Sequence, residues 1–202
     1  TQYILYTHDD MYFLPLWDTI LKKEIELLNT KFFYLSGTMI QKKGADLTLD
    51  AGNDYKDFDE KYLLNNYQKI NFFNHQGSHW APHLIHRDVW NLVNGFSEEF
   101  DPGDGSDSDL NMKLWKCGVK IFKGLNDFKV YHFGSISMRK KKDLKKNNGT
   151  KTFLKKWGIT PRFFFNFYLK TGSKYDGPLK EPKKTFSFIT GLMICKIKNF
   201  FN

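Results

Sequence analysis

Three observations predict an α/β domain. Tyr3-Ile4-Leu5-Tyr6 is a short apolar run that stops at Thr7-His8-Asp9-Asp10, the pattern of a buried strand ending in carboxylates. Leu14 to Leu28 then reads as a helix, because Leu16, Ile20, Leu21, Ile25 and Leu28 recur at helical spacing and Pro15 sits near the first turn. Phe32 to Ile40 reads as a second strand, with Gly37 inside it. Strand, helix and strand in that order predict helices packed on a sheet.

The later elements follow the same logic. Residues 42–59 are polar and acidic and predict a loop, and Glu60 to Phe73 is weakly helical. From His75 to His86 a loop leading into a short strand is expected, because Gly77 and Pro82 break any helix. Arg87 to Val93 predicts a short helix closed by Asn94-Gly95. Asp101 to Ser108 is a Gly/Asp/Ser loop, and Asp109 to Lys116 a helix stopped by Gly118. Val119–Phe122 and Phe128–Phe133 predict two more strands. Residues 139–156 are a Lys-rich run, 157–178 mix aromatics with Gly and Pro, and 186–201 form an apolar segment with two lysines.

Composition narrows the class. Aromatics are 17% of the chain, about twice ordinary usage, which excludes a disordered polypeptide. The net charge of +9 is unevenly placed. Residues 1–138 hold 14 Lys/Arg against 19 Asp/Glu, a net of −5, whereas 139–202 hold 17 against 3, a net of +14. An acidic body, 1–138, is therefore expected to carry a basic, aromatic-rich extension, 139–202. Two distant cysteines, Cys117 and Cys195, exclude a disulfide scaffold or a Cys-rich zinc module and suit a reducing, cytoplasmic compartment. No transmembrane run or signal peptide is visible, and a chain that opens at Thr1 directly on an apolar run is expected to be a piece of a longer one.

Three places carry chemistry. Asp9 and Asp10 are adjacent carboxylates at a strand end, tolerable where a hard divalent cation shares the site, although such a pair also serves as an ordinary turn or helix cap. Asp104, Asp107 and Asp109 cluster in a Gly-rich loop before a helix. There they read either as helix-start residues or as a general base on an accessible loop. Their spacing does not fit a calcium-binding EF-hand loop. His132 ends an apolar strand, either as a structural residue or as an imidazole completing a metal site. Histidines 75, 79, 83 and 86 would align on one helix face, but Gly77 and Pro82 argue against that helix and hence against zinc. An exposed loop containing Trp80 and His83, lining a pocket where an indole face could stack on a sugar ring, is expected instead.

These residues also resemble a known family. Leu5-Tyr6-Thr7-His8-Asp9-Asp10-Met11, His83-Leu84-Ile85-His86-Arg87-Asp88-Val89-Trp90 with Asn94-Gly95-Phe96, Gly105-Ser106-Asp107-Ser108-Asp109-Leu110 and Tyr131-His132-Phe133-Gly134 occur in the order seen in family 2 glycosyltransferases of the GT-A fold. Lys156-Trp157-Gly158-Ile159-Thr160 resembles a short C-terminal extension of one branch. The resemblance implies a mixed sheet flanked by helices, with the nucleotide-binding β-α-β half missing from this sequence. It implies a transferase that moves a hexose-type sugar, with inversion, from a nucleotide-sugar donor to a glycan or lipid-linked acceptor of the kind used in envelope polysaccharides. Asp10 would ligate Mn²⁺ or Mg²⁺, Asp9 would lie near the donor ribose or the metal's waters, and His132 would complete the metal site. Asp107 would be the base, and Asp109 would support its loop. The family often carries Glu immediately before the base, where Ser106 stands here.

Two further expectations concern the extension. Phe163-Phe164-Phe165 with nearby lysines is compatible with a nucleic-acid-binding module, although no recognisable nucleic-acid motif accompanies it. The lysines followed by the apolar segment 186–201 suit a peripheral anchor on an anionic membrane, the alternative being a last helix packed on the body with solvated lysines.

Overall fold

The structure, a computed structural model, describes residues 1–45, 47–134 and 147–201. The basic stretch 139–146 lies outside the described residues. The fold is mixed α/β. Seven strands form one sheet: β1 (Tyr3–Tyr6), β2 (Met11–Phe13), β3 (Phe33–Gln41), β4 (Leu47–Thr48), β5 (His75–Gln76), β6 (His83–His86) and β7 (Ile121–His132). The main order is β1-β6-β3-β7-β2, with β4 beside β3 and β5 beside β7. Strands β3 and β7 run parallel, and β6 lies antiparallel between β1 and β3.

The two-residue period of β3 explains why it is central. Phe33 and Leu35 point to one face and Tyr34 to the other, and all three are buried. On the Phe33 face lies α1 (Trp17–Leu28), through Leu21 and its half-buried neighbours. Helical spacing alone would start this helix at Leu14. It starts three residues later because the Leu14 amide still donates to the Lys129 carbonyl, which keeps Leu14 attached to the sheet (3.2 Å). The two strands expected at 119–122 and 128–133 are one strand, β7. Its pairing with β3 shifts after Gly37–Leu125 and resumes at Thr38–Lys129, and that irregularity accommodates the polar Asn126-Asp127 in mid-strand.

The opposite face carries α3 (Arg87–Leu92), α4 (Ser106–Lys116), α5 (Gly149–Trp157), α6 (Pro161–Phe164) with its π-helical continuation Phe165–Leu169, and α7 (Phe186–Phe200). The remaining helix, α2 (Glu60–Asn66), is capped by the Asp59 carboxylate on the Tyr62 amide and covers a third cluster around Leu63 and Tyr131. Side-chain oxygens also cap α5 (Asn148), α6 (Thr160) and α7 (Thr185).

One core joins the extension to the body. Leu110, Leu114 and Trp115 of α4 share a cluster with Phe153, Leu154, Phe164 and Leu169. Fully burying each such side chain contributes about 1.5–3 kcal/mol. Phe163 and Phe164 are buried in the core, and half-buried Phe165 packs against it and stacks on His79. Segment 186–201 forms α7, which packs one side on Phe163 and Phe167 through Phe188. Among the described residues no helix is long and apolar enough to cross a membrane.

Candidate active site

Strands β1 and β2 occupy opposite edges of the sheet path, yet only Thr7–Asp10 separates them in sequence. The link therefore crosses the end of the sheet formed by the carboxyl ends of β3 and β7 and the amino end of β6. The register shows which end this is: Tyr6 ends β1 beside His83, and Met11 begins β2 beside His132, the last residue of β7. Ligands of open α/β sheets bind at such carboxyl ends.

The crossing assembles a group of three possible ligands. One atom each from His8, Asp10 and His132 lies within 4.8 Å of the others. Asp10 is buried, and its Oδ1 lies 3.2 Å from His132 Nε2. The other ring nitrogen of His132, Nδ1, is bonded by the Gln41 amide at the end of β3, which fixes the imidazole's orientation. The Phe133 amide donates to the Asp10 carbonyl (3.0 Å) and pins the link to the end of β7. The structure thus brings together Asp10 and His132, as the sequence suggested, and adds His8. Asp9 is exposed and does not belong to the group.

His8 also lines a second feature. A cleft of about 430 Å³ is bounded by Tyr6, His8, Pro102, Gly103, Asp104, Ser106, Asp107 and Asn147. Asp107 sits in the first turn of α4, which begins at Ser106 and so starts earlier than residue pattern alone indicates. Burial raises the Asp107 carboxyl to about 6, against a smaller opposing effect of His8. Burial, and to a lesser degree the Asp107 charge, raises the Tyr6 phenol. A carboxyl held near neutrality beside an open cleft suits proton transfer.

The extension braces this loop. Asp109 is fully buried; its Oδ2 accepts from Ser97 Oγ (2.6 Å), and its Oδ1 accepts from Trp157 Nε1 (2.8 Å) and Lys156 Nζ (2.9 Å). Asn147 Nδ2 donates to the Phe100 and Asp104 carbonyls, and the Gly149 amide donates to Asp104 Oδ2 (3.0 Å). A Cβ on Gly149 would overlap the Asp104 carbonyl, so glycine alone permits this approach. Charge-assisted bonds of this kind are about twice as strong as neutral ones. Asp109 thus ties α4 to α5 and to the turn at Ser97. Its partners Lys156, Trp157 and Ser97, and the Asn147 and Gly149 contacts to Phe100 and Asp104, were not foreseen.

The short strand expected at the end of 75–86 is β6 (His83–His86), but the expected exposure of Trp80 and His83 is corrected. His75 and His83 are buried, because their backbones are strands paired within the sheet. His83 stacks on Tyr6, and its Nδ1 is 2.9 Å from the Tyr34 hydroxyl. Burial, with a contribution from His8, lowers its pKa to about 3, so it stays neutral at physiological pH. Trp80 is half-buried, stacked on His75, with its Nε1 donating to the Gly37 carbonyl (3.4 Å). Neither side chain is a free acceptor platform.

With this geometry in view, no protein-family model matches the chain, and no curated protein matches it.

Proposed function

We propose that the chain is the metal- and acceptor-binding part of a GT-A-type glycosyltransferase. It would transfer a sugar, with inversion, from a nucleotide-sugar to a hydroxyl of a glycan or lipid-linked acceptor. The observation that carries this is the position of His8. It belongs to the His8–Asp10–His132 group and also lines the cleft that holds Asp107, the carboxyl raised to about 6. A cation site and a base opening on one cleft are the two parts an inverting transfer needs.

Asp10, His132 and His8 would hold the ion. One carboxylate with two imidazoles suits Mn²⁺ better than Mg²⁺, which prefers oxygen ligands and retained waters. Bound there, the ion supplies charge stabilisation for a departing diphosphate. Asp9, exposed beside the group, is left to the donor ribose or to ordered water. Asp107 accepts the proton of the attacking hydroxyl and is mostly ionised at neutral pH. Asp109 and its lysine and tryptophan partners hold the turn that aims it.

The test has two parts. Mn²⁺ binding to this chain is followed by electron paramagnetic resonance, and transfer is assayed with a panel of nucleotide sugars in the natural protein that carries these residues. Asp10→Asn and His132→Ala are expected to weaken Mn²⁺ binding at least tenfold. Asp107→Asn is expected to leave it unchanged while lowering transfer about 10²–10⁴-fold. Unchanged turnover in Asp107→Asn overturns the base assignment, and unchanged Mn²⁺ titrations in the other two overturn the metal site.

A further inference from the structure

The outer face of α7 has no partner among the described residues. Phe186, Ile189, Met193, Ile197 and Phe200 are 84, 41, 57, 58 and 85% exposed. Their spacing of three and four residues places them in one stripe along the whole helix. The opposite side is occupied: Phe188 and Cys195 are buried, and Gly191 lies against the Phe163 ring. The helix is thus apolar on two sides, only one of which the fold covers. Exposed contiguous apolar surface of this kind marks an interaction site.

The charges around the stripe name the partner. Lys183 and Lys184 precede the helix, and Lys196 borders the stripe on one side, all exposed. The acidic side chain nearest in sequence, Glu181, is paired with Lys120 at 2.8 Å. An apolar stripe bordered by lysines complements a surface that is apolar below and anionic above. We propose that α7 lies in the plane of an anionic phospholipid surface, with its stripe in the headgroup–acyl boundary and the lysines on the phosphates. The geometry requires the in-plane orientation. The stripe runs the full 15 residues, about 22 Å, so both helix ends meet the same depth. This inference is independent of the glycosyltransferase proposal, since no residue of the cleft takes part.

Flotation of the purified chain with phosphatidylcholine vesicles, with and without phosphatidylglycerol, tests it. The chain is expected to float with the anionic vesicles and to be released by high salt. Lys183→Glu/Lys184→Glu should lower partitioning about 30-fold or more, and Met193→Gln/Ile197→Gln should abolish it. These side chains are exposed, so the variants keep the fold, which circular dichroism and thermal melting verify. Absence of flotation at low salt overturns the proposal. So does equal flotation of wild type and both variants. A chain that elutes as a dimer, returns to monomer in Met193→Gln/Ile197→Gln and ignores vesicles also overturns it, and assigns the face to a second copy instead.

Discussion

Replacing Asp107 by Asn should make the protein more stable, although the same change is expected to remove transfer. In the fold the Asp107 carboxyl is raised from 3.8 to about 6 because burial penalises its charge. Between those values the folded state holds a proton that the unfolded chain has released, so stability falls as pH rises through this window and levels off above it. Two units correspond to about 3 kcal/mol as a ceiling. The carboxyl borders an open cleft, and solvent there screens part of the cost, leaving about 1–2 kcal/mol. Asn has the same shape and never ionises. Urea unfolding at pH 7.5 should therefore place Asp107→Asn about 1 kcal/mol or more above wild type, a midpoint shift of about 0.5–1 M. Near pH 4 the difference should close, since wild type is then largely protonated when folded. A variant less stable at pH 7.5, or a gap of equal size at both pH values, would refute burial as the origin of the shift.

Other expectations follow from the brace on the same loop and from the Gln41–His132 contact. Asp109→Ala leaves Lys156 and Trp157 without their buried acceptor and should cost about 3 kcal/mol, read as a Tm loss of about 6–12 °C by calorimetry; an unchanged Tm would show that the carboxylate is not the tie between α4 and α5. Gly149→Ala forces the start of α5 away from Asp104, so it should destabilise by more than 1 kcal/mol. It should also lower transfer without changing Mn²⁺ affinity, and normal activity in a destabilised variant would separate the brace from catalysis. Gln41→Ala frees the His132 ring and should weaken Mn²⁺ binding about 10-fold, measured by the same resonance titration.

Much of the fold was legible because its elements follow local periodicity. The strand at Tyr3–Tyr6 matches its apolar run residue for residue, and the helix ending at Leu28 matches its three- and four-residue spacing. Boundaries shifted where a tertiary bond outweighed local pattern, as at Leu14, held to the sheet by Lys129. Strand β2 was not foreseen: three residues after an acidic turn have no period to read, and only pairing with β7 makes them a strand. A short strand is expected at the end of 75–86, but Trp80 and His83 read as exposed when polarity is equated with exposure. Pairing of β5 and β6 within the sheet buried His75 and His83 instead, with Tyr34 supplying a hydrogen-bond partner for His83.

By itself, the sequence determined the α/β class, singled out Asp10, Asp107 and His132 as candidates, and showed the contrast between an acidic body and a basic extension. These depend on residue type and short-range spacing. Only the tertiary structure decided that His8 joins Asp10 and His132, because residues 8 and 132 meet where a four-residue link crosses the ends of the strands. It also decided that the extension belongs to the body's core. A cluster such as Leu114 with Phe164, or an ion pair such as Asp109 with Lys156, depends on chain segments some 50 residues apart, and no local period encodes that approach.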